Sequence, residues 1–381
     1  MPYRSQSRRL WLFMRLDGPS MHSLHVNLGP RSYDIVVTTG DRAGLGPFAR
    51  RQSAGTTALV ITDEHVEPHA EAVKQALDQA GFKTALAVRP PGEPQKSLDV
   101  ARSLYDVLVD LPADRKTLIV AVGGGVIGDL AGFVAATYAR GLDLLMAPTT
   151  LLAMVDSSVG GKVAVNHPRA KNLIGCFHQP RGVWIDTEVL ATLPDREYRS
   201  GLAEVVKYGV ILDEPFFAYL EDHISAILRR DAAVVEAIVT RCCRLKADVV
   251  EQDEREEIGL RAVLNYGHTF AHAFEAAAGY GGWLHGEAVA AGMMCAAELA
   301  QRRGLISAEL TQRQASLLTA FELPTRPLAW PIDDLLAAMR SDKKALGGKL
   351  RFILPKKLGA VAMFDDVSDS EVRDTLATFR Q

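Results

Sequence analysis

Cysteine is scarce in this chain, with four in 381 residues: Cys176, Cys242, Cys243 and Cys295. None forms the C-x-x-C pairing of a thiolate zinc site. So thin a set is no disulfide scaffold either, which points to a reducing, cytoplasmic setting. Any metal must then be held by histidine and carboxylate. Excess charge is also missing. The net charge is −3, so no basic balance recommends nucleic acid or membrane partners, and an anionic ligand needs a local cluster of Lys and Arg. No apolar run approaches the roughly 20 residues of a membrane span. Internal repeats and low-complexity tracts are absent.

What remains is ordinary globular composition, 48% hydrophobic and 23% charged. Single cores stop growing near roughly 250–300 residues, so this length predicts two domains. Residues 1–20 carry Arg4, Arg8, Arg9 and Arg15 around the short apolar run Leu10–Met14. That run is too short for a secretory h-region of roughly 7–15 residues. It reads as a disordered extension, or as sequence upstream of a true start at Met21.

From Met21 to about residue 187, β-branched runs alternate with helical spacing. Tyr33–Thr38, Ala58–Ile61, Thr84–Val88, Thr117–Val122, Leu142–Ala147 and Val183–Ile185 are predicted strands, with helices over His69–Gly81 and Leu98–Asp110. This alternation implies a parallel sheet covered on both faces, a Rossmann-like α/β domain. From 188 to 381 the texture turns helical. Helices are predicted over Glu197–Leu212, Pro215–Leu228, Ala232–Glu251, Leu264–Ala278, Glu287–Arg303 and Ala308–Phe321, with one late strand at Leu350–Leu354. A cleft between two such domains is the expected place for a site.

Two constellations carry chemistry. Gly123, Gly125 and Gly128 satisfy G-x-G-x-x-G between a buried strand and an apolar helix. Without Cβ atoms the backbone can approach a pyrophosphate, and the helix N-terminus offers free N–H groups. The motif follows about the fourth strand instead of the first, so the sheet order is expected to be non-standard. Asp63, ending an earlier strand, is a better ribose-binding candidate than Asp143. The second constellation is His268 and His272, one helical turn apart, with His285 opening the next predicted helix and Glu204 among small and apolar residues. A buried Glu is costly unless paired or metal-bound. One Glu with two His leaves an open position on zinc, as catalytic sites do. Spacing alone leaves open whether His268 or His272 is the ligand, and a packed His pair beside a salt-bridged Glu has the same pattern.

From about residue 21 to 381 these segments resemble the 3-dehydroquinate synthase family of sugar-phosphate cyclases. The matching stretches are Pro91–Lys96, Gly123–Asp129, Tyr138–Gly141, Pro148–Leu152, Val155–Lys162, Lys171–Gly175, Gly201–Tyr208, Asn265–His272 and Leu284–Glu287. The resemblance implies a cyclising phosphorus-oxygen lyase of the shikimate pathway, serving chorismate and aromatic amino acid synthesis. Its substrate is an anionic sugar-acid phosphate, 3-deoxy-D-arabino-heptulosonate 7-phosphate, and its products are 3-dehydroquinate and phosphate. The implied course is transient oxidation by NAD, phosphate elimination, re-reduction and aldol closure, with the substrate's own phosphate taking the proton. It further implies a homodimer, with Arg140 reaching the neighbouring subunit's site.

The family's metal ligands, for zinc or cobalt, fall on Glu204, His268 and His285. NAD contacts fall on Asp63, Glu93, Lys96, Gly124, Gly125, Val126 and Asp129, and on Thr149, Thr150, Asp156, Ser157, Lys171, Thr192 and Glu197. Substrate contacts fall on Arg140, Lys162, Asn172, Lys207, Lys246, Arg261, Asn265 and His272, and on Lys343 or Lys344. Of these, Lys162, Asn172, His272 and one of the lysine pair would cradle the phosphate, and Lys246 and Arg261 would hold the carboxylate. One departure is a segment Asp253–Arg261 one residue longer than the family form. Three rival readings are a cyclitol-forming relative, a polyol dehydrogenase releasing NADH, and a non-catalytic scaffold that would have lost the metal ligands.

Overall fold

The β-branched runs form strands because a pleated, doubly covered sheet suits Val and Ile on both faces. The computed structural model describes residues 21–111, 113–279, 282–327, 330–344 and 350–380, with 341–344 as backbone only. The N-terminal segment 1–20 therefore lies outside the described residues. The chain divides into two compact units. One holds residues 21–194 together with Val235–Arg255, and the other holds Asp195–Val234 together with residues from Glu256 onward.

In the α/β unit the strands are β1 (His22–Val26), β2 (Tyr33–Thr38), β3 (Thr57–Asp63), β4 (Lys83–Arg89), β5 (Leu118–Gly123), β6 (Asp143–Pro148), β7 (Lys162–His167), β8 (Ala170–Phe177) and β9 (Gly182–Asp186). Seven of them make one sheet in the order β1-β2-β9-β6-β5-β3-β4. All its pairings are parallel except that of β1 with β2. The core joins Val60, Val120, Val122 and Leu145 of the sheet to Leu45 and Phe48 on one helix and Leu77 on another. Each such side chain stabilises by about 1.5–3 kcal/mol on burial. The hairpin of β7 and β8 stands apart from the sheet and packs on the helix Gly125–Thr137. A Cβ on Gly132 would lie 2.2 Å from Val163 Cγ1, so the hairpin sits directly on the helix backbone there.

The order puts β6, β5 and β3 side by side, so Pro148, Gly123 and Asp63 end at one edge of the sheet. Ligands of open parallel sheets bind beyond the carboxyl ends of the strands. The glycine turn follows the fifth strand, not about the fourth, because His22–Val26 adds one at the start.

In the helical unit Asp195–Leu212, His268–Ala278 and His285–Arg302 pack together. The helix expected over Leu264–Ala278 is broken: Leu260–Asn265 is a short 3₁₀ turn, and Gly267 at φ +80° opens a new helix at His268. The stretch Pro215–Leu228 is likewise two helices, Glu214–Asp222 and Ile224–Leu228. Near the C-terminus β10 (Phe352–Lys357) pairs with β11 (Ala360–Phe364). No helix among the described residues is long and apolar enough to cross a membrane.

The last helix, Asp369–Thr378, is tied down by Glu371, which caps it through Ser368 and pairs with Arg303 Nε at 2.7 Å. Arg303 and the Ser368 amide hold the Glu371 carboxyl down at about 2. A depressed carboxylate contributes stability above its unfolded value near 4.5 and loses it as pH falls toward 2. Because the pair is solvent-screened, Glu371→Gln is expected to cost no more than about 1 kcal/mol at neutral pH. Urea titrations at several pH values should show that difference closing between the two pKa values.

Candidate active site

Glu204 is fully buried on Asp195–Leu212, an element buried almost continuously from Ser200 to Leu212. Its Oε2 is paired with the Lys207 ammonium one turn along the helix, and its Oε1 has no hydrogen-bond partner among the described residues. Burying a carboxylate without full satisfaction is costly, so the group is there to meet something. Oε1 lies 3.8 Å from His268 Nε2 and 3.7 Å from His285 Nε2. One ligand atom from each of the three residues falls within 4.8 Å of the others. Of the two histidines that spacing leaves open, His268 faces the carboxylate, and His272 lies outside this group, its ring 5.6 Å from that of His268.

Two glycines make this convergence sterically feasible. Gly267 turns the chain into the His268 helix with a φ that L residues rarely adopt. Gly286, just after His285, lets the start of its helix lie on Ser200, whose Oγ accepts the Gly286 N–H at 3.0 Å. A Cβ on Gly286 would lie 1.8 Å from the Ser200 carbonyl oxygen.

Both imidazoles present the same nitrogen. His268 Nδ1 lies 3.2 Å from the Tyr266 carbonyl, and His285 Nδ1 lies 3.5 Å from Glu275 Oε1. Each Nδ1 thus faces an acceptor and each Nε2 faces Glu204, so the tautomer with Nδ1 protonated would leave Nε2 free to ligate. Burial, the Lys207 charge and the neighbouring imidazoles push His268 well below the usual histidine range, favouring the neutral, ligating form. Burial pushes His285 down too, but Glu275 and Glu204 outweigh it and leave that group raised. A buried carboxylate whose Oε1 has no hydrogen-bond partner, with two imidazole Nε2 atoms facing it, fits a divalent ion with a vacant coordination position.

The glycine turn shows the features of an anion cradle. Helix Gly125–Thr137 follows Gly124, and no side chain caps it, so no side-chain oxygen competes for the N–H groups that open it. Cβ atoms on Gly124 and Gly125 would approach Thr150 and Ser157 to 3.1 Å and 3.3 Å, closing the space over the turn. Thr149, following β6, buries a hydroxyl that has no hydrogen-bond partner. Lys96 is 5% exposed and donates to Asp129 at 2.7 Å, lies 3.7 Å from Glu93, and also contacts Asn172. Burial raises the Asp129 carboxyl, with Lys96 opposing it. These features suit a pyrophosphate-bearing dinucleotide.

The other expected residues distribute as follows. Val126 lies in the first turn of the glycine helix, and Asp156 and Ser157 lie in the π turn Ala153–Ser157. Lys246 donates to the Asp156 carbonyl and carboxylate at 2.5 and 2.7 Å. Its side chain is buried, not solvated. Asp63 Oδ1 accepts the His65 amide at 2.9 Å. Thr192 bonds His69 Nε2 at 2.9 Å. Lys162 and Lys171 are exposed on the hairpin, and Arg140 is exposed at φ +69°.

In the helical unit Arg261 is buried, 3.7 Å from Glu256. Glu197 is half-buried, and Asn265 and His272 are exposed. Lys343 and Lys344 close the helix Ile332–Lys344, and their side chains lie outside the described residues. Sequence reading passed over Glu275 and Asn166. Asn166 donates to Glu93 at 2.8 Å and accepts the Asn172 amide at 2.8 Å. Glu275 was in principle visible, since 268, 272 and 275 fall at i, i+4 and i+7 on one helical face.

Comparison with known proteins gives the family. The family models for the 3-dehydroquinate synthase N-terminal and C-terminal regions match residues 86–200 and 201–345. A 3-dehydroquinate synthase from Desulforamulus reducens is 50% identical over 359 residues, covering 94% of this chain and 100% of the relative. Among solved structures, 2-deoxy-scyllo-inosose synthase complexed with carbaglucose-6-phosphate, NAD+ and Co2+ is 28% identical, with a TM-score of 0.86 over 94% of this chain and 100% of that one. The 2-epi-5-epi-valiolone synthase from Streptomyces hygroscopicus subsp. jinggangensis 5008, with NAD+ and Zn2+ bound, is 28% identical, with a TM-score of 0.84 over 91% and 96%. The chain belongs to the 3-dehydroquinate synthase family.

Proposed function

We propose that this chain converts 3-deoxy-D-arabino-heptulosonate 7-phosphate to 3-dehydroquinate and phosphate, using NAD and one divalent ion of the zinc or cobalt type. The observation that carries the reading is the buried Glu204 carboxylate meeting two imidazole Nε2 atoms, in a chain half identical to a 3-dehydroquinate synthase. When bound, the ion would act as a Lewis acid on a substrate oxygen, and NAD would take up a hydride and return it.

The chain's own residues bind and orient. Glu204, His268 and His285 would hold the ion. The uncapped turn at Gly124, Gly125 and Val126 would take the pyrophosphate, with Lys96, Asp129 and Thr149 nearby and Asp63 on a ribose. Lys246 is a cation already fixed by Asp156. It and the buried Arg261 guanidinium would receive the carboxylate. Lys162, Asn172 and His272, with Lys343 or Lys344, would receive the phosphate. His272 Nε2 or Nδ1 and the Asn265 amide would orient the ring and move protons. No strong protein base is needed if the departing phosphate takes the proton, and holding an open-chain intermediate is then mainly a positioning task. A cytoplasmic homodimer belongs to the same family reading.

Cycling of NAD tests this reading. With NAD well below the substrate concentration, phosphate released should exceed NAD many times over while absorbance at 340 nm stays flat. A steady climb at 340 nm would instead identify a dehydrogenase.

A further inference from the structure

We infer that Glu275 is a positioning residue that orients His285 and so sets how tightly the triad holds its divalent ion. This rests on reading Glu204, His268 and His285 as the ion's ligands.

The two histidines are supported differently. His268 is 13% exposed in its side chain, and its Nδ1 is held by a backbone carbonyl, that of Tyr266, two residues earlier. Tyr266 is itself immobilised, since its buried hydroxyl lies 2.8 Å from Gln314 Oε1 and 3.1 Å from the Met293 carbonyl. The fold alone therefore orients His268. His285 has a looser setting. It is the first residue of its helix, and its side chain is 34% exposed. Its ring lies between two carboxylates, Glu275 Oε1 at 3.5 Å from Nδ1 and Glu204 Oε1 at 3.7 Å from Nε2.

Glu275 is only 15% exposed, so its pull on the ring is less screened than that of a surface pair. It stands two turns beyond His268 on the same helical face. One helix thus supplies both a ligand and the group that aims the other ligand. By accepting from Nδ1–H, the carboxylate fixes the tautomer that leaves Nε2 as the lone-pair donor, and it strengthens that donor.

The test is Co2+ titration of the metal-free full chain, followed by the visible spectrum and by competition with a chelator. Glu275→Ala should weaken Co2+ binding by about 10–100-fold, and Glu275→Gln, which keeps an acceptor oxygen, should recover most of that loss. Raising Co2+ should restore turnover in Glu275→Ala but not in Glu204→Ala, a rescue that general misfolding would not show. If Glu275→Ala fails to fold by circular dichroism, Glu275→Asp, which keeps the charge but draws it back from the ring, must weaken Co2+ binding for the inference to stand. Binding by Glu275→Ala within about twofold of wild type, below the range expected for such a partner, overturns the inference and leaves the triad intact. Failure of the wild type to bind Co2+ would overturn the metal reading itself.

Discussion

His268→Ala is expected to strip the divalent ion and slow phosphate release by roughly a thousandfold, while His272→Ala keeps the ion. Losing a Lewis acid removes several kcal/mol of transition-state stabilisation, and each 1.36 kcal/mol is about tenfold in rate. The contrast matters because spacing alone allows either histidine to be the ligand. His268 Nε2 faces Glu204 Oε1 and His285, whereas His272 lies outside the group of converging ligand atoms. His272→Ala should instead raise KM or lower kcat with metal content unchanged. Metal analysis of the two purified variants beside their kinetics checks this. A His272 variant that lost the ion while the His268 variant kept it would reverse the assignment.

Gly286→Ala should be the most damaging glycine-to-alanine change among the described residues of the helical unit. The added Cβ would lie 1.8 Å from the Ser200 carbonyl oxygen and 2.6 Å from its carbon. Both are backbone atoms of the Glu204 helix, so no side-chain rotation relieves the clash. Overpacking of this kind costs typically 1–3 kcal/mol, and a backbone-on-backbone case belongs at the upper end, about 3 kcal/mol. The lesion also forces His285 away from Glu204, because Gly286 and Ser200 link the two helices next to their ligands. Urea unfolding of the metal-free variant and Co2+ titration should therefore fail together. Stability within about 0.5 kcal/mol of wild type, the range of an innocuous surface change, would show that the helices can separate without harm.

Most of the sheet was legible because its strands are near-continuous apolar runs, as doubly covered parallel strands must be. Tyr33–Thr38 and the helix Leu98–Asp110 fall where periodicity puts them. His22–Val26 was not legible. It pairs antiparallel at the sheet's edge and carries two histidines and a serine, with the mixed burial of a strand wetted on one side. The hairpin Lys162–Phe177 escaped for a related reason, since β8 is exposed along most of its length and shows no apolar period. The break at Gly267 is a local backbone event that apolar spacing cannot report. In the site, Glu204 was detectable as a carboxylate stranded in an apolar helix, and the three histidines with it as residue types suited to one ion, while the choice of His268 over His272 came only from the family resemblance. Spacing places Glu275 on the face of His268 and His272, but its contact with His285 Nδ1 is a long-range fact that no spacing rule contains.

The most direct test of the central claim is to incubate metal-loaded protein and catalytic NAD with 3-deoxy-D-arabino-heptulosonate 7-phosphate, then identify the products by NMR while assaying phosphate. The account predicts 3-dehydroquinate and phosphate in equal amounts with no net NADH. No turnover of that substrate, with metal and NAD demonstrably bound, would contradict it and point to a cyclitol-forming reaction on a different sugar phosphate.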